Sequence, residues 1–228
     1  TFHISAVTPG LRRSTHAGSS LRGSGSPSLS ADASLLAFDG DADLLGQGIP
    51  DDQFEIWLYD TRTLTYTRVT TVTDPTRDNV TPALSADGSI VAFTGDADLL
   101  GQGNVADGQV EVWLYDTAAL TYTRVTTAAD PTRDSGSPAL DADGRIVAFA
   151  SDADLLGQGI PDDQYEVWLY DTTALTYTRV TTAADASRTS GSPSIDAAGT
   201  RLVFTSDADL LGQGSVADGQ YEVWLYDT

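Results

Sequence analysis

The sequence predicts an all-β protein, a propeller of four four-stranded blades, and three observations carry that reading. A motif of the form EIWLYDT or EVWLYDT recurs around Trp57, Trp113, Trp168 and Trp224 at spacings of 56, 55 and 56 residues, the self-similarity that marks repeat architectures. Within each repeat, four short runs of strand-forming residues are separated by turn residues, and no segment has the 3.6-residue spacing of a helix. The last repeat stops one run short, while residues 2–8 align without gaps on residues 64–70. An N-terminal strand is therefore expected to complete the C-terminal blade and remove its open edge.

The repeats cover approximately residues 24–78, 79–134, 135–189 and 190–228, all in one domain spanning 1–228. In each, run a is short, as in Thr81 to Ser85, and ends at a turn such as Asp87-Gly88, a pair suited to tight hairpins. Run b, Ser89 to Thr94, is apolar on both faces and reads as a central, doubly covered strand. A loop of about fifteen residues follows, far longer than a hairpin needs, which makes it the place where function concentrates. Run c, Val110 to Tyr115, places Val110, Val112 and Leu114 on one face and Glu111, Trp113 and Tyr115 on the other. Run d, Leu120 to Thr126, is Thr-rich and carries an Arg, as suits an outer strand with a wet edge. Repeats one and three share IPDDQ before run c and repeats two and four share VADGQ, so the unit copied last was a pair of repeats.

The charge narrows the range of partners. Thirty-three acidic side chains against twelve basic ones, all Arg, leave a formal charge of −21. Such a polyanion is repelled by nucleic acid and anionic membranes. No apolar run approaches the roughly 18 residues of a membrane helix, and residues 1–22 lack the order of a signal peptide. With no Cys there is no disulfide, thiol nucleophile or cysteine-held zinc. A Lys-free, Asp-rich chain also suits a halophilic source, where salt screens the crowded carboxylates.

The segments Ser-Pro-Ala-Leu, Ser85-Ala-Asp-Gly88, Ile-Val-Ala-Phe-Thr, Val-Trp-Leu-Tyr-Asp116 and Arg124-Val-Thr126 resemble the repeats of TolB-like, WD-repeat-related propellers from Ser24 onward. The resemblance implies a propeller fold, a binding or scaffolding role and an extracellular or cell-envelope location. Rings of that kind generally have six blades or more, so four blades in one chain also raise the prospect of a homo-oligomer.

In a propeller the b-to-c and d-to-a loops emerge on one face, and two sets of side chains recur there. The first is the Asp-Ala-Asp pair opening each long loop: Asp41 and Asp43, Asp96 and Asp98, Asp152 and Asp154, Asp207 and Asp209. Alternating carboxylates followed by a Gly-rich loop are candidate calcium ligands; the alternative is that they accept hydrogen bonds from their own loop backbone or pair with Arg. The second is an Arg just ahead of run a: Arg22, Arg77, Arg133 and Arg188. Guanidinium forks suit a carboxylate, sulfate or phosphate ligand, whereas the neighbouring Asp favour inter-blade Arg–Asp pairs. Glu55, Glu111, Glu166 and Glu222 beside the Trp residues suggest a sugar subsite, against core packing of the Trp between blades. Asn79-Val-Thr81 matches a glycosylation sequon.

Enzymatic constellations are sparse. His3 and His16 lie outside the repeats with no triad or metal-ligand spacing around them, and Gly46-Gln47-Gly48 opens no helix. The leading expectation is a non-enzymatic binding or scaffold module presenting its long loops to a protein or carbohydrate partner, with calcium the one cofactor the sequence suggests. The alternatives are a self-assembling component that exchanges strands and a hydrolase acting on polysaccharide through paired carboxylates.

Overall fold

A computed structural model describes residues 22–103, 105–106, 108–214, 216–217 and 219–228. Among them there are strands and turns and no helix. Blade one consists of β1 (Ser24–Leu29), β2 (Leu35–Gly40), β3 (Glu55–Asp60) and β4 (Thr65–Arg68). Blade two repeats this as β5 (Asn79–Leu84), β6 (Ile90–Gly95), β7 (Glu111–Asp116) and β8 (Thr121–Arg124). Blade three is β9 (Ser135–Leu140), β10 (Ile146–Ser151), β11 (Glu166–Asp171) and β12 (Thr176–Arg179). Blade four has β13 (Ser190–Ile195), β14 (Arg201–Ser206) and β15 (Glu222–Asp227). All pairings are antiparallel between successive strands, giving three four-stranded sheets and one of three strands. The predicted closing strand, residues 2–8, lies outside the described residues, as do His3 and His16.

One register holds the middle of every blade. Phe38 faces Trp57, Phe93 faces Trp113, Phe149 faces Trp168 and Phe204 faces Trp224 across the second and third strands. Such aromatic cross-strand pairs bury large areas and fix alignment. Each indole nitrogen donates to the carbonyl closing the second strand, that of Gly40, Gly95, Ser151 or Ser206, at 3.2 to 3.4 Å.

The blades stack through these strands. Ala37, Ile56 and Leu58 of blade one meet Val91, Phe93, Trp113 and Tyr115 of blade two. The same two faces join blades two and three, and again three and four. The apolar character of both faces of run b thus comes from neighbours on either side. Blade four differs: Val223 and Leu225 are 76% and 64% exposed where their equivalents Val167 and Leu169 are 0% and 7%.

The innermost strands carry an irregularity in every repeat. Ser26, Thr81, Ser137 and Ser192, each just before a Pro, have φ of 45°, 52°, 52° and 50° at a break in register. Proline cannot donate to the ladder, so pairing must skip it, and the bulge turns the strand there. Outer strands are shorter than the sequence suggests. Val125 and Thr126 both aim their amides at the Val112 carbonyl, at 2.8 and 3.4 Å, which ends the ladder at Arg124.

Candidate functional site

The long loops and the links between blades lie on one face, as antiparallel succession requires. Every residue expected to bind a ligand there is found holding the loop in shape. Asp41 accepts from the Gly23 amide at 2.6 Å and the Asp52 amide at 3.3 Å, so it ties the loop to the strand that precedes it. Asp152 does the same with the amides of Asp134 and Asp163, at 2.7 and 3.1 Å. Asp96 accepts from Asp78 at 2.8 Å and Asp207 from Thr189 at 2.7 Å. Burial pushes Asp96 and Asp152 above the ordinary carboxylate range, against the pull of those amides and of Arg77 and Arg133.

The second Asp of each pair closes the Leu-Leu-Gly-Gln-Gly turn. Asp43 accepts from the amides of Gln47 and Gly48 at 2.7 and 2.8 Å, and Asp154 from Gln158 and Gly159 at 2.6 and 2.7 Å. Asp98 and Asp209 accept from Gly103 and Gly214. Partial burial works to raise Asp43, Asp98 and Asp154, but the converging amides outweigh it and hold all three below the ordinary range. For Asp209 the Gly214 amide leads and the direction is the same. Gly46 and Gly48 take φ of 69° and 82°, the left-handed region that lets the turn wrap around the carboxylate.

The four Arg are staples across the loops. Arg22 donates to the Asp41 and Ile49 carbonyls at 2.5 and 2.9 Å and pairs with Asp51 at 2.5 Å. Arg133 donates to the carbonyls of Asp152, Ile160 and Pro161 and pairs with Asp162 at 2.5 Å. Arg77 reaches the Asp96 and Ala106 carbonyls, and Arg188 those of Asp207 and Ala217. The expected inter-blade Arg–Asp pairs are thus corrected: the targets are mainly carbonyls, and they belong to the long loop that follows each Arg. Among the described residues no three Asp, Glu or His side chains come together as a metal-binding group.

The Glu–Trp reading also changes. Trp57, Trp113 and Trp168 are fully buried, so no sugar ring can stack on them. Glu55, Glu111 and Glu166 are equally buried and bind the Arg that ends the outer strand and the Thr two residues beyond it: Arg68 and Thr70, Arg124 and Thr126, Arg179 and Thr181. Asn79 of the sequon is wholly buried as well.

Among the polar groups that the loops present to solvent, such as Gln47, Asp51, Gln158 and Asp162, each turn also exposes one large apolar side chain. The first Leu of each turn, Leu44, Leu99, Leu155 or Leu210, packs on the blade core. The second, Leu45, Leu100, Leu156 or Leu211, is 45%, 42%, 46% and 67% exposed. Nothing in the sequence distinguishes the two Leu, so only the turn geometry reveals which one faces out. A cavity of about 320 Å3 opens between blades three and four, lined by hydroxyls that include Ser137, Thr189, Ser192, Tyr165 and Tyr221.

No family model matches the chain, and no curated protein matches it. Among solved structures it is similar to TolB from Acinetobacter baumannii, at 19% identity and a TM-score of 0.56 over 90% of this chain and 41% of that one. It is also similar to a putative TolB from Agrobacterium tumefaciens, at 20% identity and a TM-score of 0.56 over 88% and 60%. A puromycin-hydrolysing peptidase of Mycobacterium tuberculosis matches at 15% identity and a TM-score of 0.56 over 90% and 27%. The chain spans less than two thirds of each, and the likeness establishes the β-propeller fold of the TolB type.

Proposed function

We propose that this propeller is a non-enzymatic binding module that recognises a protein surface through its long-loop face. The observation that carries the reading is the row of outward-facing leucines, one per blade at the same place in each loop: Leu45, Leu100, Leu156 and Leu211. Apolar side chains are costly in water, and here each sits on a turn locked by an Asp carboxylate and an Arg staple. Rigid apolar anchors bind a partner with little ordering cost, which is the usual basis of a hot spot. The polar groups that would select a small anion or a metal are spent on the loops themselves, which favours a protein partner over either.

The test compares the chain as bait with a variant carrying Leu45→Ser, Leu100→Ser, Leu156→Ser and Leu211→Ser, with bound proteins quantified by mass spectrometry. A control replaces Leu64, Leu120 and Leu175 by Ser; these are exposed at the turns of the opposite face. Partners lost from the loop variant and kept by the control support the reading. Equal recovery by both overturns it, and turnover of a peptide or polysaccharide by the purified chain would put a hydrolase in its place.

A further inference from the structure

The inner strands of the blades share one register but differ in what fills it. The second residue of each inner strand and its partner are Gly25–Asp39 in blade one, Val80–Thr94 in blade two, Gly136–Ala150 in blade three and Gly191–Thr205 in blade four. Where blades two and three meet, a Cβ on Gly136 would lie 3.9 Å from Thr94 Cγ2, so Thr94 occupies that space. The Thr94 hydroxyl also bonds that of Thr81 at 2.7 Å. Where blades three and four meet, the methyl of Ala150 stands in place of Thr94, and the cavity of about 320 Å3 opens there. Its floor is built from Gly136, Ala150 and Gly191. That volume falls at the lower end of the roughly 300–1,000 Å3 typical of small-molecule sites.

The walls are neutral hydroxyls and an aromatic ring. Ser137 and Ser192 line the cavity from the bulges, where φ of 52° and 50° ahead of a proline is a costly backbone state. Ala150 offers Ser137 no hydroxyl of the kind that Thr94 offers Thr81. Among the described residues the hydroxyls of Ser137, Ser192 and Tyr165 have no hydrogen-bond partner. Tyr165 stands where blade two has Val110, and its ring is partly buried. Burial, with the charges of Asp152, Asp134 and Asp163, pushes its phenol up to about 12, so the group stays protonated and able to donate.

We infer that the cavity between the inner strands of blades three and four is a binding site for a neutral saccharide unit, which stacks on Tyr165 and exchanges hydrogen bonds with Ser137, Ser192 and the Tyr165 hydroxyl. A sugar ring is apolar on its C–H face and carries donors and acceptors at its edge, which matches an aromatic face set among hydroxyls that both donate and accept. Among the described residues no basic side chain lines the cavity. An anion there lacks a counter-charge and meets the Asp around Tyr165. A cation is no better served, since Asp134 and Asp152 already accept from the amides of Val110, Asp134 and Asp163. The lining includes none of the outward leucines, so the site goes beyond the protein-binding role of the long loops.

The test is saturation-transfer-difference NMR of the full chain, titrated with glucose, galactose, mannose, N-acetylglucosamine, maltose and dextran. At least one is expected to bind saturably, a monosaccharide if the ligand is a free sugar and only maltose or dextran if it is a unit of a chain. Ala150→Thr restores the side chain that blade two carries, and Gly191→Ala adds a methyl that meets only Ala150, at 3.9 Å. Each should weaken binding about tenfold or more by filling the cavity, with the melting temperature close to that of the parent. Tyr165→Phe keeps the ring and should weaken binding about threefold to tenfold through the lost hydroxyl. Absence of binding by every sugar overturns the inference. So does binding that survives both cavity-filling substitutions, or tighter binding of glucuronate or glucosamine than of every neutral sugar.

Discussion

At Gly95 the two inner strands of blade two approach so closely that a Cβ would meet Asn79 Oδ1 at 2.2 Å and the Asp78 carbonyl oxygen at 3.0 Å. The pair Asn79–Gly95 occupies the register held by Ser135–Ser151 in blade three and Ser190–Ser206 in blade four, where the hydroxyls bond at 2.8 Å. A large residue opposite none and two small residues opposite each other fill the same space. Asn79 gains little from its amide, since neither Nδ2 nor Oδ1 has a hydrogen-bond partner. Gly95→Ser alone should therefore destabilise by about 1–3 kcal/mol through overpacking. Adding Asn79→Ser should recover at least half of that loss, measured as urea midpoints of the two single variants and the double one. Additive effects would mean that the two positions do not share the space.

At the scale of the element, the strands were legible and the wiring of the loops was not. Alternation in segments such as Val110 to Tyr115 follows from a pleated backbone whose two faces both need apolar cover, so the pattern is written in residue types. Arg133, by contrast, ends on the carbonyls of Ile160 and Pro161, and a backbone carbonyl leaves no mark on the sequence. The Asp-Ala-Asp pairs were visible as chemistry, but their partners are amides that any residue supplies. Those amides give the loops a pH dependence. Asp43, Asp98 and Asp154 are held below the ordinary value of 3.8 in the folded state. For a lowered carboxylate, the stabilising contribution is full above the unfolded value and is lost as pH falls through the folded one. Asp96 and Asp152 are shifted the other way and contribute loss as pH rises past 3.8. The triple variant Asp43→Asn, Asp98→Asn, Asp154→Asn should thus show a shallower fall in melting temperature below pH 4 than the parent. An unchanged acid limb would show that these carboxylates do not govern it.

The whole molecule carries 33 carboxylates against 12 guanidinium groups, and several of the latter are committed to carbonyls and buried Glu. The uncompensated charge acts over the surface and is screened within about 10 Å at 0.1 M salt and about 3 Å at 1 M. The buried Arg–Glu pairs, shielded from solvent, are weakened far less. Raising sodium chloride from about 0.05 M to about 2 M should therefore raise the denaturation midpoint. A flat or falling midpoint would show that self-repulsion is not a leading cost for this fold. The number of blades was legible from the Trp spacing. The exposed face of the last blade was not, because Val223 and Leu225 are the same kinds of residue as Val167 and Leu169 and differ only in that, among the described residues, no blade covers them.

That missing neighbour also shapes how the protein comes apart. Among the described residues each blade is knit from strands adjacent in sequence, and the main contacts between blades join successive ones. Such an array behaves as coupled units whose cohesion is a sum of individual and nearest-neighbour terms. Among the described residues the fourth unit has three strands and an uncovered flank, so as described it melts locally before its fellows and exchanges its amide protons soonest. Loss of order then spreads inward from one end, unit by unit, in the manner of a zip.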